Sequence, residues 1–260
     1  MDLERDVKEG TKNSMVSHKC QVIEVISLTE KTYLFELLSP VDTVLDYCAG
    51  QHLQLDLDVN KDGQIHSLLY SIANSFDHKQ PRRLQLIIEN SSEFAGQIVQ
   101  RLIEACEDQI KVDVALAMGK AYLQTGLSLP HILVAAGSGI SKVKCIAEEI
   151  LKQNPYADVQ VYWSNKNIDD FYLLDQFNVL QEQYKLFEFT PILESIHEAW
   201  SGRAGYIYQV IEQDFDRLND VQMYLCGSPQ MVYGTIDKLE PVGLKEANCY
   251  SDVFEYAPRN

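Results

Sequence analysis

The chain has 260 residues, a length that allows one large domain or two moderate ones. Lys and Arg total 22 against 38 Asp and Glu, so the formal net charge is −16. Such an acidic surface repels phosphate backbones and anionic lipids, which makes nucleic acids and membrane surfaces poor partners. The six cysteines form no CxxC pair and lie mostly in apolar runs, which indicates free thiols in a reducing compartment and no metal site.

The N-terminal residues 1–17 are predicted to form a polar tail. This segment mixes charges and lacks the apolar stretch of a signal peptide, and nowhere do about 18 apolar residues run together. The sequence therefore predicts a cytoplasmic protein, which we expect to be a monomer or a weak dimer.

The first half of the chain has the pattern of β-strands. In Gln51–Val59, apolar residues alternate with polar ones, which is typical of a strand with one buried face. Apolar residues between Phe94 and Cys106 recur at helical spacing, and Ser91 or Ser92 is placed to cap that helix. The sequence predicts a small antiparallel barrel of six strands with one helix. The other five predicted strands are 21–28, 32–38, 68–73, 84–89 and 110–114.

The pattern changes after residue 125. The apolar run His131–Ala136 predicts a strand buried on both faces, and an amphipathic helix and the strand 159–163 follow it. A strand, a helix and a strand of these lengths form a βαβ unit, which implies a parallel sheet. The predicted domains are a barrel at 18–125 and an α/β domain at 126–260. The later predicted elements are helices at 170–184 and 206–215, strands at 186–193 and 221–226, a helix from Ser228-Pro229, and a final strand at 253–256.

Two short segments of small residues lie where ligands bind in parallel sheets, beyond the carboxyl ends of strands. They are Gly137-Ser138-Gly139-Ile140 and Cys226-Gly227-Ser228-Pro229, and each leads into a predicted helix. Without bulky side chains, a pyrophosphate or a nicotinamide can approach the backbone amides at a helix N-terminus. The alternative interpretation is a pair of ordinary tight turns.

The segment Leu68–Asn74 is a second candidate. Tyr70 and Ser71 are adjacent on a predicted strand, so one can stack along a flat ring while the other offers a hydroxyl. From this segment alone, an ordinary amphipathic strand is the favoured interpretation.

Taken in order, these segments resemble the ferredoxin-NADP reductase superfamily, and specifically its bacterial NAD(P)H:flavin oxidoreductases. The resemblance runs from about His18 to Tyr256. The stretches that carry it are 49–53 (AGQHL), 70–74 (YSIAN), 134–141 (VAAGSGIS) and 225–231 (LCGSPQM).

The resemblance implies hydride transfer from NADH or NADPH to a flavin, which is riboflavin, FMN or FAD. Ser71 and Cys226 would then be the catalytic residues, with Ser71 near flavin N5 and Cys226 beside the nicotinamide. Catalysis would consist mostly of stacking two rings, with no obligatory nucleophile or metal. The implied flavin-binding residues are Leu68, Tyr70, Ser71, Ile87, Ile88, Glu89 and Phe254. The implied nucleotide-binding residues are Gly137, Ser138, Gly139, Ile140, Ser164, Lys166, Cys226, Gly227, Ser228 and Asp252.

One position departs from the family pattern, because Leu68 stands where the family has an Arg that meets the ribityl or phosphate end of the flavin. A lost charge-assisted hydrogen bond is worth about 1.5–3 kcal/mol. We therefore expect weak binding of a dissociable flavin, with poor discrimination among its phosphorylated forms. Lys166 is the one cation near the predicted ribose site, which favours NADH with NADPH tolerated.

Three hypotheses remain open on the sequence alone. The first is a free-standing flavin reductase that supplies reduced flavin to a monooxygenase or a ferric acceptor. The second is the reductase subunit of a multicomponent oxygenase or deoxysugar system, which would hold its flavin during transfer. The third is a non-catalytic nucleotide-binding regulatory subunit, to which the loss of Arg at Leu68 gives some support.

Overall fold

The computed structural model describes residues 16–124 and 126–259, which form two six-stranded sheets with helices. The first sheet is antiparallel and has the strand order β4-β3-β6-β1-β2-β5. Its strands are β1 (Val16–Ser27), β2 (Thr32–Leu38), β3 (His52–Leu57), β4 (His66–Ser71), β5 (Arg83–Glu89) and β6 (Lys111–Met118).

This sheet curls so that its two edge strands approach each other. Just beyond β4, the Ala73 amide donates a hydrogen bond to the Gln85 carbonyl on β5, at 2.8 Å. The barrel is therefore closed by contact at one end. Along β3, Leu53, Leu55 and Leu57 are buried in the barrel core, as the alternation predicts.

One helix, α1 (Glu93–Glu107), covers the barrel core. The Ser92 hydroxyl caps it by accepting a hydrogen bond from the Ala95 amide. The buried face of α1 includes Ile98, Val99 and Leu102, which recur at the spacing of helical turns.

The second sheet is parallel throughout and has the order β10-β9-β8-β7-β11-β12. The direction of connection reverses between β7 and β11, which makes their carboxyl ends a switch point where ligands bind in open sheets. Its strands are β7 (His131–Ala136), β8 (Val159–Asn165), β9 (Phe187–Leu193), β10 (Arg203–Ala204), β11 (Gln222–Cys226) and β12 (Cys249–Tyr250).

Helices pack on both faces of the parallel sheet. α5 begins as the sequence predicts, with the Ser228 hydroxyl accepting from the Met231 amide and Pro229 at the first helical position. Among the described residues, no helix combines the length and apolar character that a membrane span requires. The helices are α2 (Ile140–Gln153), α3 (Leu174–Gln183), α4 (Ile207–Asp214), α5 (Pro229–Leu239) and α6 (Val253–Tyr256).

The antiparallel barrel and the parallel α/β sheet confirm the predicted fold class, with two local corrections. β1 begins at Val16, five residues before the predicted strand, because residues 16–21 pair with β6. The predicted final strand at 253–256 is the helix α6, in which the Ala257 amide bonds to the Val253 carbonyl. The edge position of the sheet is taken by β12, which pairs with β11. Residues 1–15 of the predicted tail, Thr125 and Asn260 lie outside the described residues.

Candidate functional site

A cavity of about 550 Å³ lies between the barrel and the carboxyl end of the parallel sheet. We call it the central cavity. Its volume is within the usual range for small-molecule sites. The barrel contributes residues of β4, β5 and the start of α1, and the sheet contributes the turns after β7 and β11 and the segment Ser251–Tyr256.

The central cavity brings together most of the residues singled out in the sequence, although their segments are far apart in the chain. From the barrel, its wall contains Tyr70, Ser71, Ile87, Ile88 and Glu89. From the sheet, it contains Ser138, Gly139, Cys226, Gly227, Ser228 and Asp252.

A second cavity, of about 580 Å³, adjoins the first along the sheet. We call it the outer cavity. Ser164 and Lys166 lie in its wall, with Tyr206 and Tyr208 from the start of α4. Ala136 and Ser228 line both cavities, so a single extended ligand can occupy the two.

Four predicted residues do not line either cavity. The Leu68 side chain packs against the barrel core, and Ile140 is fully buried in the core beneath the parallel sheet. Phe254 packs against Tyr233, with ring centroids 5.8 Å apart, and its neighbours Val253 and Tyr256 line the central cavity instead. Gly137 also lies outside both walls, and its carbonyl accepts a hydrogen bond from the Trp163 indole at 2.9 Å.

The turns at the ends of β7 and β11 pack against each other through their backbones. A Cβ atom on Gly139 would lie 2.3 Å from the Cys226 carbonyl oxygen, a distance that no side chain tolerates. Gly137 differs, because it has a φ of +55° and open space where its Cβ would be. The two glycines are therefore needed for different reasons. Gly139 permits the close approach of the β7 and β11 turns, and Gly137 permits the left-handed backbone conformation.

Two residues in the wall of the central cavity, Cys226 and Tyr70, have raised pKa values. Burial raises the pKa of the Cys226 thiol to about 12, with Lys142 lowering it and Asp252 raising it to smaller extents. Burial likewise raises the pKa of Tyr70 to about 12. Both groups are neutral at pH 7, so Cys226 presents a thiol and not a nucleophilic thiolate.

Ser141 and Lys142 are among the polar residues of the central cavity that the sequence does not predict. The Lys142 ammonium is buried and lies 2.7 Å from an Asp252 carboxylate oxygen. The Ser141 hydroxyl is buried without a hydrogen-bond partner among the described residues. Nothing in the sequence pairs Lys142 with Asp252, because 110 positions separate them and a lysine on an amphipathic helix is normally solvated.

A family model and individual known proteins both match this chain. Residues 133–236 match the family model of the oxidoreductase NAD-binding domain. A probable flavin reductase of Aliivibrio fischeri is 24% identical over 238 residues, which are 91% of this chain and 98% of that protein. An NAD(P)H-flavin reductase of Vibrio harveyi is 23% identical, over 82% of this chain and 87% of its own length.

Longer reductases are also similar. The CDP-6-deoxy-L-threo-D-glycero-4-hexulose-3-dehydrase reductase of Yersinia pestis is 25% identical over 97% of this chain and 74% of that protein. Among solved structures, the cytochrome P450 reductase GcoB of Amycolatopsis superposes with a TM-score of 0.76 at 21% identity, covering 92% of this chain and 69% of that one. The structural likeness supports the fold.

Proposed function

We propose that this chain is a member of the ferredoxin-NADP reductase superfamily that transfers hydride from NADH or NADPH to a flavin. The match of residues 133–236 to an oxidoreductase NAD-binding domain and the similarity to flavin reductases support this proposal. The observation that carries this proposal is the central cavity. There the barrel residues Tyr70 and Ser71 face the two strand-end turns of the sheet. A cleft of this kind allows two flat rings to stack face to face at reacting distance.

In the proposed arrangement, the nicotinamide nucleotide lies along the sheet. Its adenosine half occupies the outer cavity beside Ser164 and Lys166, and its nicotinamide reaches the central cavity next to Cys226. The dinucleotide passes Ala136 and Ser228, which line both cavities. Helix α5 begins at Ser228, so its N-terminal amides favour the negatively charged pyrophosphate.

The flavin occupies the barrel side of the central cavity. The isoalloxazine ring lies along Tyr70 and the backbone of Ile87–Glu89, and Ser71 offers its hydroxyl near N5. The C4–H bond of the dihydronicotinamide breaks and the hydride bonds to N5, which leaves an oxidised nicotinamide and an anionic reduced flavin. The protein needs to stack the rings, align them and exclude water.

We further propose that the flavin is a dissociable substrate. Among the barrel residues that the structure describes, those that line the central cavity include the acidic Glu89 and no Lys or Arg. Leu68 packs against the barrel core. The released reduced flavin would serve a flavin-dependent monooxygenase or a ferric acceptor. We expect the enzyme to act in the cytoplasm, where reduced nicotinamide nucleotides are supplied.

The test is an NADH-oxidation assay with riboflavin, FMN and FAD in turn, repeated with NADPH. We expect turnover with added flavin and a preference for NADH. Nucleotide binding without oxidation in the presence of any flavin would contradict the proposal and favour a regulatory subunit.

A second candidate function is the reductase component of a deoxysugar system, favoured by the match to the Yersinia pestis reductase over 97% of this chain. That role predicts a flavin retained through dialysis and a partner protein that copurifies. The free-standing reductase predicts a colourless purified protein.

A further inference from the structure

Lys142 is a buried cation in the wall of the central cavity. Its side chain is 3% exposed, and its ammonium donates a hydrogen bond of 2.7 Å to one carboxylate oxygen of Asp252. Removing a charge from water is costly unless a partner compensates it, so Lys142 is strongly tied to Asp252. The pair joins helix α2 to the start of helix α6.

The second oxygen of Asp252 points toward the barrel. It is buried without a hydrogen bond from any residue that the structure describes, and it lies 3.9 Å from the Nδ1 atom of His52, at the start of β3. Gly119 makes room for this approach, since a Cβ there would lie 2.7 Å from His52 Nδ1 and 3.2 Å from the Asp252 oxygen. Asp252 therefore sits between the sheet, which supplies Lys142, and the barrel.

Asp252 belongs to the segment Ser251–Tyr256, which forms one wall of the central cavity. Helix α6 has only four residues, and a single turn of helix has little stability of its own. Its position must come from its anchors, of which the Asp252–Lys142 pair is the charged and buried one. Val253 and Tyr256, on this segment, both line the cavity.

We propose that Lys142 is a positioning residue for the nicotinamide ring: its ammonium holds Asp252, and thereby the wall Ser251–Tyr256, at the depth that the ring requires. The inference rests on the proposed function, because it takes the central cavity as the place where the nicotinamide binds. It assigns no chemical step to Lys142, which acts through Asp252.

The test compares two ligands that differ by the ring. ADP-ribose has the atoms expected to fill the outer cavity, and NADH adds the nicotinamide. In Lys142→Met, we expect the affinity for NADH to fall about tenfold while that for ADP-ribose stays within about twofold. We also expect kcat with riboflavin to fall and Lys142→Arg to recover most of both losses, since an arginine can still pair with Asp252.

The matched control is Lys144→Met. Lys144 is a second buried lysine on α2, paired with Glu148 at 2.7 Å and with the Ala73 carbonyl at 2.9 Å, and it does not line the central cavity. We expect this variant to lose thermal stability, as Lys142→Met does, but to keep the wild-type ratio of NADH to ADP-ribose affinity.

Further outcomes decide the inference. If Lys142→Met does not fold, the double variant Lys142→Met/Asp252→Asn removes the uncompensated carboxylate and should still show the selective loss for NADH. Equal losses for both ligands, or a wild-type ratio in the folded variants, would overturn the positioning role. If the wild-type protein oxidises no NADH with any flavin yet binds NADH more tightly than ADP-ribose, the proposed function fails while the affinity ratios still test Lys142.

Discussion

Side chains of two barrel strands line one wall of the central cavity, which we call the side-chain wall. In the opposite wall, two turns of the parallel sheet pack closely through their backbones, and we call these turns the backbone wall. On the barrel, Tyr70 and Ser71 project from β4. On the sheet, the turn at Gly139 lies so close to Cys226 that no side chain fits between them. Substitution of side chains can alter which ligand the side-chain wall binds, whereas the shape of the backbone wall depends on its glycines. We therefore propose that the nicotinamide nucleotide is bound in a fixed geometry and that the flavin is bound loosely.

The strongest test of the backbone wall is Gly139→Ala. Its Cβ would lie 2.3 Å from the Cys226 carbonyl oxygen, so the β7 and β11 turns must separate. Overpacking of this kind costs about 1–3 kcal/mol, and we expect kcat/KM for NADH to fall about 100-fold because the nicotinamide site is displaced. Steady-state kinetics and urea unfolding measure the two effects.

Gly137→Ala is the comparison, because its Cβ meets open space and only the positive φ opposes it, at a cost of about 1–2 kcal/mol. We expect a smaller loss of kcat/KM there. An equal loss in the two variants would mean that the close packing of the turns is not what fixes the site.

The side-chain wall is tested by Ser71→Ala. If the hydroxyl bonds near flavin N5, its removal should cost about 0.5–1.5 kcal/mol of transition-state stabilisation, or up to about tenfold in kcat with riboflavin. Ser67→Ala is the matched control, because Ser67 lies on the same strand and bonds Asp56 at 2.6 Å, away from the cavity. Equal kcat values in Ser71→Ala and the wild type would remove Ser71 from the reaction.

Leu68→Arg tests the proposal that the flavin is loosely held. A guanidinium at this position should improve affinity for FMN and FAD up to about tenfold relative to riboflavin, since a charge-assisted bond is worth about 1.5–3 kcal/mol and the arginine stem must first leave the barrel core. Flavin fluorescence quenching gives the three affinities. Leu68→Met preserves the apolar packing and should leave their ratio unchanged. If Leu68→Arg also leaves it unchanged, the phosphate end of the flavin lies elsewhere.

The two walls also differ in how far the sequence predicts them. Local patterns suffice for the β7 turn, because an apolar strand, small residues and a helix follow one another in the chain. The same is true of Tyr70 and Ser71 on their strand. The buried position of Lys142 cannot be predicted from local patterns, because its partner Asp252 comes from a distant segment and a lysine on an amphipathic helix is normally exposed to solvent. Residues 253–256 form a helix where the sequence predicts a strand, because four residues are too few for periodicity to distinguish a strand from one helical turn.

The sheet also contains a buried titratable group, His131 at the start of β7, which should make the protein less stable in acid. Burial is the main cause that lowers the pKa of His131 below the ordinary histidine value of 6.5, so the unfolded state binds the proton more tightly than the folded state. The contribution of His131 to the free energy of unfolding is fully present above pH 6.5. It falls as the pH drops from 6.5 toward the pKa of the folded state, by up to about 1.4 kcal/mol per pH unit.

His131→Phe should flatten this pH dependence in urea unfolding at pH 7.5 and pH 5.5, because phenylalanine fits the fully buried position and has no proton to bind. His197→Gln, at an exposed position, should retain the wild-type slope. If His131→Phe retains it too, the acid sensitivity arises elsewhere, and His52, whose pKa burial also lowers, becomes the next histidine to replace.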